Sequence, residues 1–499
     1  MNIFTAPRVG GRWAAAGLGL LLPIAFAPFN WFWLAPLSLG GLFLLWVGQD
    51  AREAALRSFC FGFSAFAFGT YWLFISLKLL GGAPLPVVLV MMAGLVLSMA
   101  LYLAGCAWLS NRIAPTEGAV RWLLIVPAAW TLVEWLRSWL FSGFPWLSIG
   151  YSQIDTPLAA WAPVAGIYAV SWITVVLAGL IPWAIYGSRV TRAAAAAILA
   201  VVLILSALLR TVAWTAPGSE ELKVAMIQGA IPQVLKWLPS QRLPTLRTYA
   251  GMSLDLEAQD LIIWPEAAIP AVPEQVRPFL DAMTEQMVEL DTQLLTGILS
   301  YDVEHDQYRN TLLALGDPPG DYYKRHLVPF GEYFPVPGFV REWMRLVNLP
   351  YETTTAGPAD QRPLMVKNVA IAPSICYEVA FGAEQLVFLP AAGLLVNVSN
   401  DAWFGDSIAP HQHLQMARMR ALEAGRPMLR ATNTGITALI TPDGNVQATI
   451  PQFEPGVLTG VVRPHTGTTP YVRTGNWPIA AATLLILVVV AGIGRRRRR

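Results

Sequence analysis

Long apolar runs fill the first 213 residues of the chain and recur near its end. About 20 consecutive apolar residues are enough to cross a bilayer as a helix. Eight runs of about this length occur, at residues 12–28, 30–48, 57–79, 85–110, 120–141, 160–186, 193–213 and 477–494. The pattern predicts a polytopic α-helical membrane domain, with seven transmembrane helices in residues 1–213 and an eighth in residues 466–499.

The middle of the chain, residues 221–465, has a different pattern, in which short β-rich runs alternate with helical ones. The β-rich runs are Leu222–Gln228, Asp260–Trp264, Gln293–Ser300, Asn310–Leu315, Val369–Ile375, Leu394–Ser399 and Ile436–Thr441. Helical patterns lie between several of them, at Pro278–Leu290 and His413–Ala424 for example. This alternation predicts an α/β domain with a sheet covered by helices, joined to the membrane domain by a short linker at residues 214–220.

Composition supports this division. Hydrophobic residues make up 55% of the chain and charged residues only 13%, which is typical of a membrane protein. Only five of the 32 acidic residues lie within residues 1–213. The net charge of +2 is too small to argue for nucleic-acid binding.

Basic residues between the apolar runs predict the orientation. Every second connection is rich in arginine, and the arginines near both termini fall on the same side: Arg8, Arg12, Arg52, Arg57, Arg112, Arg121, Arg189, Arg192 and Arg495 to Arg499. Lys and Arg accumulate on the cytoplasmic side of membrane proteins. We therefore expect both termini in the cytoplasm and residues 221–465 outside the cytoplasmic (inner) membrane, in the periplasm of a bacterium that has an outer membrane.

Three polar side chains follow strand-like runs in the α/β segment. Glu266 follows Trp264-Pro265, Lys324 lies among aromatic residues, and Cys376 ends a buried run and precedes Tyr377-Glu378. Because side chains at the carboxyl ends of neighbouring strands meet in one crevice, we expect these three to converge.

A carboxylate, an ammonium and a thiol together suit nucleophilic catalysis. A thiol with a pKa near 8.5 needs a base or a nearby cation to react at neutral pH. Glu266 can take its proton, and Lys324 can lower the thiol pKa and hold an oxyanion. The main-chain N–H of Tyr377 is a natural second donor to that oxyanion.

Metal and cofactor chemistry is not indicated. Cys60 and Cys106 lie inside apolar runs, and no cysteine or histidine spacing is typical of a metal site. His411 and His413 have no obvious third ligand nearby. We therefore expect no metal and no cofactor.

These motifs resemble a known family. Trp264-Pro265-Glu266, Lys324, Cys376-Tyr377-Glu378 and the segment 400–405 (NDAWFG) are similar to the nitrilase superfamily with its Glu-Lys-Cys triad. Longer segments resemble the apolipoprotein N-acyltransferase family, and they are HLVPFGE (326–332), SICYE (374–378), SNDAWFG (399–405), QMARMRALE (415–423), RPMLRATNTGITA (426–438) and RTGNWP (473–478). The resemblance implies a nitrilase-like αββα sandwich beside the membrane helices.

The resemblance also implies a reaction. Members of this family move an acyl chain from a phospholipid to the N-terminal α-amine of diacylglyceryl-cysteine apolipoproteins, in ping-pong fashion through a thioester. Matched motif by motif, Glu266 is the general base and acid, Lys324 the oxyanion stabiliser and Cys376 the nucleophile.

Further residues match the family as helpers. Glu332 and Glu378 would position the lysine or the thiol loop, and Tyr377 would support the nucleophile. Trp237 matches a tryptophan on a mobile active-site arm that binds substrate, and Asn310 matches a supporting polar residue. A packing tryptophan and a turn-facing asparagine remain alternatives for these last two.

Aromatic residues suggest how lipid enters. Trp237, Tyr351 and the stretch Phe330–Pro337 can form an apolar entrance that also keeps water from the thioester. Glu134 and Arg137, three apart on a predicted membrane helix, share a face and are expected to pair.

Two other functions use the same residues differently. A membrane-tethered amidase or nitrilase acting on C–N bonds would need the same triad, but not some 230 residues of membrane helix. A transporter or receptor is disfavoured, because the membrane half has few ionisable groups besides Glu134 and Arg137. No heptad or edge-strand signal demands a partner chain, so we expect a monomer.

Overall fold

The computed structural model describes residues 8–114, 116–304, 306–333 and 354–496. Its contacts divide the chain into two compact units. The first comprises Met1–Ala213, Asp406–Gln415 and Thr469–Arg499, and the second Trp214–Gly405 and Met416–Thr468. The segment Asp406–Gln415 therefore groups with the helical unit, although it lies within the predicted catalytic range 221–465.

The first unit is helical. Its longer helices are Arg8–Leu21, Leu34–Trp46, Ala51–Gly69, Leu85–Ile113, Val126–Arg137, Ala162–Ile185, Arg189–Leu209 and Trp477–Arg496. Shorter 3₁₀, π or α segments are Leu22–Ala25, Ile75–Leu80, Val120–Ile125, Leu140–Ser142, Ile149–Gln153, Pro157–Trp161 and Pro470–Thr474. A helix thus lies in each of the eight apolar runs.

Four of these helical segments are long and apolar enough to cross a membrane. They are Leu85–Ile113, Pro157–Ile185, Arg189–Leu209 and Trp477–Gly494. Leu34–Trp46 has only 13 residues, and at about 1.5 Å per residue it is shorter than a hydrocarbon core of about 30 Å. The count of eight spanning helices stays a prediction.

Charged groups inside the first unit are paired with one another or with main-chain atoms. The buried Glu53 carboxylate accepts from Arg57 Nε at 3.1 Å and Arg12 Nη2 at 2.7 Å. The predicted pair Glu134–Arg137 has an O–N distance of 3.9 Å. Arg137 also donates to the carbonyls of Phe144 and Trp146, both at 2.7 Å, and so orders the loop after its helix.

The second unit contains 14 strands among its described residues. In chain order, β1 to β14, they are Thr215–Pro217, Leu222–Gln228, Leu261–Ile263, Gln293–Asp302, Gln307–Leu315, Gly320–Tyr323, Leu364–Val366, Val369–Ile375, Leu394–Ser399, Met428–Thr432, Thr437–Ile440, Val446–Ile450, Gly456–Val462 and His465–Gly467. Three predicted strands (β2, β8 and β9) have the predicted bounds. The segment predicted as a linker contains β1, which pairs antiparallel with β14.

The other twelve strands form two six-stranded sheets of the same design. The first has the order β13-β2-β3-β4-β5-β6 and the second the order β12-β11-β10-β9-β8-β7. In each sheet three central strands are parallel, β2-β3-β4 and β8-β9-β10, and the outer strands are antiparallel. Parallel central strands bring several carboxyl ends to one edge of each sheet.

Helices cover the first sheet on one face. The helices Pro239–Leu254 and Pro273–Glu289 bury Leu246, Tyr249, Leu280 and Met283 against the apolar side chains of β2, β3 and β4. The remaining helical segments of this unit are Gln233–Lys236, Cys376–Ala380, Gly382–Gln385, Leu386–Phe388, Asp401–Phe404 and the part of Ala409–Ala424 from Met416 onward.

The two sheets are joined by buried hydrogen bonds. Gln228, at the end of β2, accepts from Thr437 Oγ1 at 2.6 Å and from Thr432 Oγ1 at 3.2 Å. Both threonines belong to strands of the second sheet. The predicted α/β sandwich of two sheets is confirmed, with helices covering one face of the first sheet.

Candidate active site

The three predicted catalytic residues follow the ends of three strands of the second unit. β3 ends at Ile263, and Trp264-Pro265 leads from it to Glu266. Lys324 follows β6, and Cys376 follows β8. Lys324 lies 3.6 Å from Glu266, and charges on both influence the Cys376 thiol.

The Glu266 carboxylate is held by groups from both sheets. Asn310 Nδ2, on β5, donates to its Oε1 at 2.7 Å. The main-chain N–H of Asn400, just after β9, donates to its Oε2 at 2.7 Å. Two charge-assisted bonds fix the carboxylate plane and leave further lone pairs for a proton.

Lys324 is buried, with 1% of its surface exposed, and lies between two carboxylates. Its Nζ donates to Glu332 Oε1 at 2.8 Å and lies 3.6 Å from Glu266 Oε1. Burial would lower the pKa of Lys324, but Glu332 and then Glu266 outweigh it and raise that pKa. Lys324 is therefore protonated at neutral pH.

Glu332 is itself oriented by its own loop. Its Oε2 accepts from the main-chain N–H of Val328 at 2.7 Å, and its Oε1 also accepts from Asn310 Nδ2 at 3.3 Å. Asn310 therefore bridges the two carboxylates that flank Lys324. The structure brings Glu332 and Asn310 together with the triad residues, as the motif match implied.

Cys376 sits at a strained backbone position. Its φ is +53°, in the left-handed region that a non-glycine residue rarely adopts, where β8 turns into the short helix Cys376–Ala380. The residue as a whole is partly exposed, whereas its thiol is buried. Burial of the thiol and the Glu266 charge raise the pKa of Cys376, and Lys324 lowers it by less. The net direction is opposite to the sequence-based expectation, because burial and Glu266 exceed the effect of Lys324.

Glu378 joins the two loops that carry Lys324 and Cys376. Its buried carboxylate accepts from the main-chain N–H groups of Ile375 and Arg325, both at 2.7 Å, and of His326 at 3.2 Å. Tyr322 Oη donates to it at 2.9 Å. Burial raises the pKa of Glu378.

Tyr377 packs beside the nucleophile. It is buried, its ring meets Phe381 edge-on at 4.9 Å, and the His326 ring lies 5.8 Å away. Its side chain therefore fixes the loop that also presents its main-chain N–H.

Trp237 does not join the polar cluster. It follows the short helix Gln233–Lys236 and is 45% exposed. Phe330 is also exposed, whereas Tyr351 and residues 334–337 of the predicted apolar entrance lie outside the described residues.

Sequence reasoning missed several groups at the site. Lys236 is buried and donates to the main-chain carbonyl of Glu266 at 3.1 Å. Asn400 acts through its main-chain N–H, which no residue type reveals. Asp401 accepts from Ser399 Oγ and from Arg430 Nη2, both at 2.7 Å, in a buried network beneath the thiol. Of these residues, Asp401 and Arg430 could have been found from the sequence, because each lies in a family motif.

Two family models match the chain. The Apolipoprotein N-acyltransferase N-terminal domain matches residues 18–180, and the Carbon-nitrogen hydrolase model matches residues 223–471. The second covers the sandwich and the three proposed catalytic residues. The solved structure of Saccharomyces cerevisiae Nit3, described as a member of branch 10 of the nitrilase superfamily, is 16% identical, has a TM-score of 0.38 and covers 49% of this chain and 91% of its own.

Relatives that match nearly the whole chain identify a particular family with the carbon-nitrogen hydrolase fold. An apolipoprotein N-acyltransferase of Methylococcus capsulatus is 44% identical over 481 residues, which is 96% of this chain and 95% of the relative. Those of Coxiella burnetii and Vibrio cholerae are 39% and 40% identical and cover 94% and 96% of this chain, and 98% and 96% of their own. The chain belongs to the apolipoprotein N-acyltransferase family, within the wider group of carbon-nitrogen hydrolase folds.

Proposed function

We propose that this protein transfers an acyl chain from a phospholipid to the N-terminal α-amine of diacylglyceryl-cysteine apolipoproteins, through a thioester on Cys376. The observation that carries the proposal is the grouping of Glu266 and Lys324 with Cys376 in a chain of this family. The relatives that this chain matches over nearly their whole length are named as acyltransferases, which does not favour an amidase.

In the first half-reaction Cys376 Sγ attacks the ester carbonyl carbon of the phospholipid. Glu266 takes the thiol proton at the same time, because the raised pKa of Cys376 keeps the resting thiol neutral. The Lys324 ammonium and the Tyr377 N–H stabilise the oxyanion. When the C–O bond breaks, Glu266 returns the proton to the alkoxide oxygen, and lysophospholipid leaves.

In the second half-reaction the neutral α-amine of the acceptor attacks the thioester carbonyl. Glu266 takes a proton from the attacking nitrogen, the C–S bond breaks, and Glu266 passes that proton to the Cys376 sulfur. The amide product leaves, and the site returns to its starting protonation state.

The remaining residues act on these groups. Glu332 and Asn310 position Lys324 and Glu266, Glu378 positions the two loops, and Tyr377 supports the nucleophile. We assign the exposed Trp237 to the contact with lipid substrate.

We place this chemistry at the outer surface of the inner membrane. Membrane helices within residues 1–213 and 466–499 would hold the domain 221–465 in the periplasm, with both termini in the cytoplasm. Donor and acceptor lipids are both confined to the membrane, so a tethered domain meets each at a high effective concentration.

The test is thioester trapping in a chain with a single thiol. Cys60→Ala and Cys106→Ala remove the two other cysteines, which lie in the first unit. The full-length double variant is incubated with a phospholipid labelled in its acyl chain, and a label on protein that hydroxylamine releases is expected. Cys376→Ala in the same background should abolish both the label and acyl transfer to a diacylglyceryl peptide.

Two results would contradict the proposal. One is thioester label that persists after Cys376→Ala. The other is mass spectra showing triacylated lipoproteins in cells whose only copy carries Cys376→Ala. Release of ammonia from simple amides, without acyl transfer from phospholipid, would instead favour an amidase.

A further inference from the structure

The turn that carries Glu266 is tight and strained. Ala267 has a φ of +46°, in the left-handed region, and Ala268 N–H closes the turn on the Pro265 carbonyl at 3.2 Å. Gly297 on β4 lies directly beneath it. A Cβ at Gly297 would meet Ala267 N at 2.4 Å and Pro265 O at 2.5 Å. Small shifts of this turn would therefore move the Glu266 carboxylate.

The short helix Gln233–Lys236 is linked to this turn by hydrogen bonds, directly from Lys236 and through Asn400 from Gln233. Lys236 Nζ donates to the main-chain carbonyl of Glu266 at 3.1 Å. Gln233 Oε1 accepts from Asn400 Nδ2 at 2.9 Å, and the N–H of the same Asn400 donates to Glu266 Oε2. The helix thus contacts the Glu266 main chain directly and its carboxylate through one residue.

Lys236 differs from the other buried lysine of the site. Both are 1% exposed, but Lys324 has two carboxylates within 4.0 Å, whereas no carboxylate of a described residue lies within 4.0 Å of Lys236 Nζ. Burial without an ion pair lowers the pKa of Lys236 to about 8. A neutral amine still has N–H groups to donate, so its bond to the Glu266 carbonyl does not need the charge.

We infer that Lys236 is a positioning residue, which holds the catalytic base Glu266 in place through its main-chain carbonyl, with Gly297 leaving room for the same turn. The inference rests on the proposed function. Without Lys236 a buried carbonyl in a strained turn loses its donor, and the turn shifts to find another partner. A displacement near 1 Å at a catalytic group reduces a rate by about 100-fold.

The experiment measures thioester formation on Cys376 by the full-length protein with labelled phospholipid. Lys236→Met is expected to lower the maximal rate by about 10-fold to 100-fold, with little change in the phospholipid concentration that gives half that rate. Lys236→Arg, which keeps a long donor, should recover most of the rate. Gly297→Ala, which changes no charge, should reproduce the defect, and Gly251→Ala, at a glycine with open space around it, should not.

The pH dependence separates positioning from charge. A positioning role predicts the same ratio of wild-type to Lys236→Met rates from pH 7 to pH 9.5, because both forms of the amine donate. A role through charge predicts that the ratio falls toward one above pH 8, as the wild-type ammonium deprotonates, and this result would overturn the inference. Equal rates for Lys236→Met and wild type would overturn it as well. Absence of thioester in the wild type would instead refute the proposed function.

Discussion

At the scale of single residues, the protonation state of the Cys376 thiol is set by burial and by two neighbours of opposite charge. Burial and Glu266 raise its pKa, and Lys324 lowers it. In the proposed mechanism, the same carboxylate that suppresses the resting thiolate is the base that creates it during reaction. A neutral resting thiol is also oxidised less readily than a thiolate would be.

Replacing Glu266 should therefore make the Cys376 thiol more reactive and at the same time abolish acyl transfer. Glu266→Gln removes the negative charge that raises the thiol pKa, so more thiolate is present at a given pH. A fall of one pKa unit increases the thiolate fraction about tenfold. We expect faster alkylation of Cys376 by iodoacetamide at pH 7–8 in the Cys60→Ala, Cys106→Ala background, together with loss of acyl transfer. Slower alkylation would show that Glu266 does not hold the thiol neutral.

Glu332 should control the alkaline limit of the reaction. Glu332 is the main group that raises the pKa of Lys324, so Glu332→Gln lowers that pKa. Because the proposed mechanism uses the protonated form of Lys324, activity in this variant should fall at a lower pH than in the wild type. Misplacing the lysine should also lower the maximal rate by about 10-fold to 100-fold, which is no more than the loss expected when an oxyanion donor is removed outright. An alkaline limb that does not move would contradict this role.

The sequence predicted the residues whose type reveals their chemistry. Glu266, Lys324 and Cys376 each follow a strand, so their convergence follows from the geometry of sheets. Asn400 was missed because it uses its main-chain N–H. Lys236 was missed because the hydrogen-bond acceptor of its side chain, the Glu266 carbonyl, lies 30 residues away in sequence and belongs to another loop.

At the scale of elements, Glu378 couples the loop after β6 to the loop after β8. Its carboxylate accepts three main-chain N–H bonds and the Tyr322 hydroxyl. Burial, followed by the Glu378 charge, raises the pKa of Tyr322, so that hydroxyl remains a donor. The positions of Lys324 and Cys376 relative to each other therefore depend on one carboxylate.

Graded variants should measure this coupling. Tyr322→Phe removes one donor and should cost about 1 kcal/mol, whereas Glu378→Leu leaves three main-chain N–H groups unpaired, at about 1–3 kcal/mol each. We expect a small drop in melting temperature for the first, and a large one with loss of thioester formation for the second. The full-length proteins are compared by thermal unfolding in detergent. Equal effects of the two substitutions would mean that the main-chain contacts do not matter.

Element prediction succeeded where one physical signal dominated. The bounds of β2, β8 and β9 follow from nearly continuous buried runs, which are interrupted at Lys223 in β2 and at Ala370 in β8. The helix Ala51–Gly69 is less simple, because its apolar run begins after Glu53 and Arg57, which the structure buries as a pair. The predicted span at 57–79 therefore starts six residues after the helix begins. The charged residues in the first turns of the helix also explain why it is not among the four segments that are long and apolar enough to cross a membrane.

At the scale of the whole molecule, the distribution of arginine predicts the orientation in the membrane. Arginine-rich connections alternate with basic-poor ones, which predicts that the connection before Arg189 is cytoplasmic and the second unit periplasmic. Tyr186 and Val303 offer a matched pair, since both are large, exposed side chains, one before Arg189 and one in the second unit. In a chain without other cysteines, Val303→Cys should react with a membrane-impermeant maleimide in cells with a permeabilised outer membrane. Tyr186→Cys should react only after the inner membrane is opened. The reverse pattern would invert the topology, and it would place Cys376 on the cytoplasmic side, away from exported lipoproteins.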